Sequence, residues 1–92
     1  MALRHLLIPA MLALTFPALA AERTVVLDID NMYCATCPYI VRQALLGVDG
    51  VTNVSVSLDD STATVVFDDD TTGPDLLTAA TTDAGYPARA RP

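Results

Sequence analysis

The chain has 92 residues and a formal net charge of −6 at pH 7. This length fits one small domain. An acidic surface repels phosphate backbones and anionic lipid headgroups, which argues against nucleic acid and anionic membranes as partners.

The first 20 residues have the features of a secretory signal peptide. Arg4 supplies the early positive charge, an apolar run covers residues 6–16, and small residues end the segment at Ala18-Leu19-Ala20. The run is shorter than the roughly 20 residues that a spanning helix needs, which argues against a membrane anchor. We therefore expect export to the periplasm, cleavage after Ala20, and one domain over residues 21–92. Without Arg4, four arginines would face eleven acidic residues, a net charge of −7.

Residues 24–48 predict a strand, a loop and a helix. Alternating apolar residues predict a half-buried strand over 24–30, and residues 30–33, where the alternation ends, predict a loop. Pro38 suits the first turn of a helix, because a backbone amide there would have no carbonyl acceptor within the helix. The apolar stripe of this helix is Val41, Ala44, Leu45 and Val48.

Residues 54–91 predict a hairpin, a second helix and a last strand. Alternation over 54–58 and 63–67, on either side of the turn 59–61, is typical of a β-hairpin. Gly85 is placed to end a helix that begins near residue 74, and a short strand follows over 87–91. The expected stripe of this second helix is Leu76, Leu77, Ala80 and Ala84. The order βαββαβ predicts an α+β, ferredoxin-like fold, with a four-stranded antiparallel sheet and two helices on one face.

Both cysteines of the protein lie in one tetrapeptide, Cys34-Ala35-Thr36-Cys37, where the first loop enters the first helix. The amides and partial positive charge of a helix N-terminus favour the thiolate, which is both a nucleophile and a metal ligand. Thiolates select soft metal ions. The pair therefore predicts metal binding or thiol redox chemistry.

Other roles for the cysteines fit the sequence less well. A purely structural disulfide would close almost no loop, and disulfides stabilise mainly by closing loops. Thioredoxin-like proteins also carry Cys-x-x-Cys at a helix start, but the βαββαβ order does not suit that fold. Structural zinc wants four ligands, and the one histidine, His5, would leave with the signal peptide. Cu(I) and Hg(II) both accept two thiolates, so the number of ligands does not separate them.

Two further classes of function find little support. Calcium loops place oxygen ligands at alternating positions around a glycine turn, and the aspartate clusters at 59–60 and 68–70 lack that pattern. A hydrolase would need a base, and no histidine remains after residue 20. We therefore expect a protein that is not an enzyme.

The segment Asn31-Met32-Tyr33-Cys34-Ala35-Thr36-Cys37 resembles the G-M-T-C-x-x-C loop of the heavy-metal-associated domain family. That family has the same βαββαβ order, and the resemblance extends from about residue 24 to residue 90. Within the family, the export signal, Cys37-Pro38 and the segment 83–87 look most like periplasmic mercury-binding members. Copper chaperones share the loop and the fold.

The resemblance implies that Cys34 and Cys37 are the two metal ligands. It implies a monomeric carrier that captures Hg(II) as cargo and passes it by thiol exchange to an inner-membrane mercuric transporter. The alternatives are a Cu(I) carrier and a periplasmic thiol redox protein.

The resemblance also assigns roles to residues around the ligands. Met32 would be a buried residue that shapes the loop, and Tyr86 would either shield the ion or fill the end of the core. Asn31 and Tyr33 depart from the family pattern of Gly and Thr. Asn tolerates the left-handed backbone, whereas the ring of Tyr33 is a candidate to restrict access to the ion.

Overall fold

The computed structural model describes residues 21–92 and contains four strands and two helices over that range. The predicted signal peptide lies outside the described residues. The elements in chain order are β1 (Glu22–Ile29), α1 (Cys37–Leu46), β2 (Val51–Ser57), β3 (Thr62–Asp68), α2 (Pro74–Asp83) and β4 (Ala88–Ala90).

The four strands form one antiparallel sheet in the order β2-β3-β1-β4. In the central pair, Val25 lies opposite Val65 and Leu27 lies opposite Ala63, which aligns the apolar side chains of both strands on one face. Both helices cover this face. The predicted ferredoxin-like architecture is confirmed.

The core lies between this sheet face and the helices. Phe67 and Leu27 are among its largest fully buried side chains. Strand residues reach the core at every second position, as the alternating sequence predicted. The other buried apolar residues of the described chain are Ile29, Met32, Cys37, Val41, Leu45, Val54, Ala63, Val65 and Leu77.

The predicted stripe of α2 is partly wrong. Leu76 is 57% exposed and Ala84 is also exposed, whereas Leu77 and Thr81 are fully buried. Residues 77 and 81 are four apart and share one helical face, which the packing turns toward the sheet. The hydroxyl of Thr81 donates to the carbonyl oxygen of Thr78 at 3.1 Å, so this polar group is satisfied inside the core.

Strand ends also differ slightly from the predicted ones. Leu58 belongs to the hairpin turn rather than to β2, and Ser61 completes that turn with a positive φ of 54°. The register between β2 and β3 shifts between Val51 and Asn53. Such an irregularity bends a strand locally without changing the order of the sheet.

Two loops meet at the end of the sheet where α1 begins. The amide of Asp30 donates to the carbonyl oxygen of Pro87 at 2.8 Å, which joins the loop after β1 to the loop after α2. None of the helices in residues 21–92 has the length and apolar character needed to cross a membrane.

Candidate metal centre

The two cysteines lie on either side of the junction between the first loop and α1. Cys34 is in the loop, Cys37 is the first residue of α1, and their Cα atoms are 5.2 Å apart. The amide of Cys37 donates to the carbonyl oxygen of Cys34 at 3.1 Å, which closes a tight turn and brings both side chains to one side. In the structure the two sulfurs are joined as a disulfide. Only the reduced pair would offer two thiolates to a metal ion.

The two sulfurs have different surroundings. Cys37 is 5% exposed and belongs to the hydrophobic core, whereas Cys34 is exposed. Spacing along the chain does not tell which of the two cysteines faces the core. Cys34 is therefore the sulfur that is more accessible from solvent.

Each sulfur has a hydrogen-bond donor from the same loop. The backbone amide of Cys34 donates to Sγ of Cys37 at 3.3 Å. The hydroxyl of Thr36 lies 3.6 Å from Sγ of Cys34. Thr36 was not among the residues predicted from the sequence to belong to the site. Its position could have indicated a role, because Thr36 directly precedes a helix in which Pro38 has no amide hydrogen for the threonine hydroxyl to accept.

The three residues before Cys34 differ in burial and in backbone conformation. Met32 is 2% exposed and packs in the core, as predicted. Asn31 has φ of 67°, the left-handed conformation expected for an Asn that replaces Gly. The side chain of Tyr33 is 86% exposed. Its ring therefore extends into solvent beside Cys34.

The loop after α2 supports the site from the neighbouring side. Gly85 has φ of +99°. The amide of Tyr86 donates to the carbonyl oxygen of Thr81 at 2.8 Å, and the amide of Gly85 donates to the carbonyl oxygen of Thr82 at 2.9 Å. This pair of bonds is a Schellman motif, which ends the helix as the sequence predicted. Tyr86 is half-buried and packs against the core. Of the two roles considered for Tyr86, its packing supports filling the end of the core.

Charged groups near this end of the sheet are already paired. Arg89 donates to both carboxylate oxygens of Asp30, at 3.0 and 3.4 Å, and this hydrogen bonding raises the pKa of Arg89. Within residues 21–92, no three His, Cys, Asp or Glu side chains come together as a metal-binding group.

The fold and the site define a ferredoxin-like domain that carries a Cys-x-x-Cys pair on the loop before its first helix. The chain belongs to the heavy-metal-associated domain family, whose sequence model matches residues 26–87. The resemblance found in residues 31–37 is thereby confirmed.

Relatives and solved structures are similar over most of the chain. A "mercuric transport protein periplasmic component" of Acinetobacter calcoaceticus is 47% identical over 79 residues, which cover 86% of this chain and 87% of that protein. The crystal structure of oxidized MerP from Ralstonia metallidurans CH34 is 42% identical with a TM-score of 0.77, covering 78% of this chain and 100% of that one. The mercury-bound form of MerP, the periplasmic protein of a bacterial mercury detoxification system, is 43% identical with a TM-score of 0.70 and the same coverage.

Proposed function

We propose that this protein is a periplasmic carrier of Hg(II) that holds the ion between Cys34 and Cys37. The observation that carries the proposal is the pair of cysteines at the start of α1, with Cα atoms 5.2 Å apart and both side chains on the same turn. The similarity to mercuric transport proteins and to mercury-bound MerP supports Hg(II) as the cargo.

Capture requires the reduced form of the site. Two electrons and two protons from a thiol reductant would convert the disulfide to two thiols. Hg(II) would then bind both sulfurs and displace the two protons, which leaves a neutral two-thiolate complex. Soft thiolates suit a soft ion, and two of them satisfy the preference of Hg(II) for low coordination.

Release would proceed by ligand exchange. Because Cys34 is exposed and Cys37 is buried, an incoming thiolate would bond to the ion while the Cys34 sulfur leaves and takes up a proton. A second thiolate would then replace Cys37. The natural acceptor would be the cysteines of an inner-membrane mercuric transporter. No bond of a substrate is made or broken apart from those to the ion, so the protein would act as a carrier and not as an enzyme.

The periplasmic location is part of the same proposal. The features of residues 1–20 and the name of the Acinetobacter relative, a periplasmic component, support export. A disulfide between Cys34 and Cys37 also suits an oxidising compartment. Mass spectrometry of protein from a periplasmic extract should give a chain that begins at Ala21. A full-length chain retained in the cytoplasm would contradict this location.

The decisive experiment is an anaerobic competition titration of reduced protein, residues 21–92, with Hg(II) and Cu(I). Buffered thiol competitors set the concentration of free metal, and a double variant, Cys34→Ser with Cys37→Ser, is the control. We expect one Hg(II) per chain, held against competing thiols and lost in the double variant. Cu(I) should be removed by the same competitors.

Two other results would each redirect the assignment. If Cu(I) were retained against strong copper chelators and Hg(II) were not, the protein would be a copper carrier. If neither ion bound through the cysteines, a test for catalysed thiol–disulfide exchange would decide for or against a redox protein.

A further inference from the structure

Thr36 occupies the position before α1 at which a threonine hydroxyl normally caps a helix, yet its side chain makes no capping hydrogen bond. Capping residues usually have an extended backbone and accept a hydrogen bond from the amide two or three positions later. Thr36 instead has φ of −96° and ψ of −5°, a helical conformation. Its hydroxyl is directed to Sγ of Cys34, 3.6 Å away.

The neighbours of Thr36 explain why its hydroxyl is not needed for capping. The residue two positions later is Pro38, which has no amide hydrogen to donate. The next amide, that of Tyr39, already donates to the backbone carbonyl oxygen of Thr36 at 3.1 Å. Both amides that an N-cap hydroxyl would serve are therefore absent or occupied.

The chemistry of the sulfur fixes the direction of the contact. Sγ of Cys34 carries no hydrogen in the disulfide, so the hydroxyl of Thr36 is the donor and the sulfur accepts. A metal-bound thiolate also lacks a hydrogen, and its negative charge strengthens any hydrogen bond that it accepts. Cys37 receives its own bond from the amide of Cys34. The Thr36 hydroxyl is thus the side-chain counterpart of that backbone donor.

We propose that Thr36 is a positioning residue for the ligand Cys34: its hydroxyl holds the exposed sulfur toward Cys37. The inference rests on the proposed metal-binding function and adds a determinant of how tightly the ion is held. A sulfur that is already held toward Cys37 needs less rearrangement to share an ion with it, which favours binding.

The test uses three variants of the protein. Thr36→Val keeps the shape of the side chain and removes the hydroxyl, and Thr36→Ser keeps the hydroxyl. Thr82→Val, at an exposed position on α2, is the matched control for loss of a threonine hydroxyl elsewhere. The first readout is the Hg(II) dissociation constant in buffered thiol competitor. The second is the equilibrium in which two glutathione molecules reduce the disulfide and form one glutathione disulfide.

In Thr36→Val, we expect the Hg(II) dissociation constant to rise about two- to tenfold, the range that corresponds to losing one hydrogen bond. The glutathione equilibrium should also differ from that of wild type, because the lost hydrogen bond is made to a sulfur that this reaction converts from disulfide to thiol. Thr36→Ser and Thr82→Val should match wild type in both readouts. Equal effects of Thr36→Val and Thr36→Ser, or no effect of Thr36→Val in either readout, would overturn the proposal.

The two readouts separate this inference from the proposed function. Absence of Hg(II) binding by the wild-type protein would refute the carrier function. The glutathione equilibrium needs no metal ion, so it would still decide whether the Thr36 hydroxyl acts on Cys34.

Discussion

The side-chain amide of Asn31 lies 3.5 Å from the carbonyl oxygen of Gly85. These residues belong to the two loops that flank the cysteine pair, and both have positive φ, 67° and +99°. The bond from the amide of Asp30 to the carbonyl oxygen of Pro87 reinforces the same junction. Hydrogen bonds therefore hold the cysteine loop against the loop after α2.

The left-handed backbone at Asn31 predicts different outcomes for two small substitutions. Asn31→Gly keeps easy access to this conformation but loses the exposed hydrogen bond to Gly85, so we expect it to lower the free energy of unfolding by less than about 1 kcal/mol. Asn31→Ala places a Cβ in the left-handed region and should cost about 1–2 kcal/mol. Urea unfolding of the oxidised proteins measures both. Equal stability of the two variants would show that the conformation at position 31 carries no strain.

The unequal burial of the cysteines predicts unequal effects of serine substitutions on stability. In reduced protein, Cys37→Ser puts a hydroxyl into the core and should lower the free energy of unfolding by about 1–3 kcal/mol. Cys34→Ser, at the exposed position, should change it by less than about 0.5 kcal/mol. Denaturant unfolding under reducing conditions removes the contribution of the disulfide from both. A larger loss in Cys34→Ser would contradict the assignment of Cys37 to the core.

The corrected face of α2 is tested by two adjacent leucines. Leu77→Ala should lower the free energy of unfolding by about 2–5 kcal/mol, because it opens a cavity in the core. Leu76→Ala, at a side chain that is 57% exposed, should stay within about 0.5 kcal/mol of wild type. Thermal or urea unfolding compares them directly. Comparable losses in the two variants would instead support the stripe expected from the sequence, which contains both leucines.

The ion pair between Asp28 and Arg91 predicts a stability difference that depends on pH. Arg91 donates to both oxygens of Asp28, at 2.9 to 3.2 Å, and these hydrogen bonds hold the pKa of that carboxyl below its ordinary value of 3.8. A carboxyl with a lowered folded-state pKa adds stability above its unfolded pKa and loses that contribution as pH falls through the folded value. Both side chains are partly exposed, so the contribution is small.

Arg91→Gln should raise the pKa of Asp28 toward its ordinary value. The stability difference between this variant and wild type should be present at neutral pH and disappear on acidification. NMR titration of the Asp28 carboxyl measures the pKa, and Arg42→Gln, on the exposed side of α1, is the control that should leave it unchanged. A pKa of Asp28 that does not respond to Arg91→Gln would refute the pairing in solution.

Alanine substitutions at the two glycines with positive φ should lower the free energy of unfolding by different amounts. Gly85→Ala adds backbone strain in otherwise open space and should cost about 1–2 kcal/mol. Gly50→Ala adds the same strain, and its Cβ would lie 2.9 Å from Cβ of Thr71. It should therefore be the more destabilising of the two in urea unfolding. If the two cost the same, the contact with Thr71 relaxes freely.

The sequence alone was enough to predict the architecture. Strand alternation and helical spacing are local patterns, and the first five of the six elements show one of them. The last strand was placed only by its position after the second helix. The position of Cys34 and Cys37 at a helix start was equally readable, because Pro38 and the stripe that begins at Val41 mark where α1 begins. The left-handed backbone at Asn31 and the helix end at Gly85 followed from the intrinsic conformational preferences of those residues.

Other features depended on how the elements pack together. The choice of Leu77 and Thr81 over Leu76 and Ala84 was settled by the rotation of α2 against the sheet, because both faces carry small or apolar residues. The burial of Cys37 and the exposure of Cys34 depend on where the core ends. The contact between Thr36 and Cys34 requires the three-dimensional path of the turn. Spacing along a chain determines which residues can share a face, whereas only the packed structure determines which face is buried.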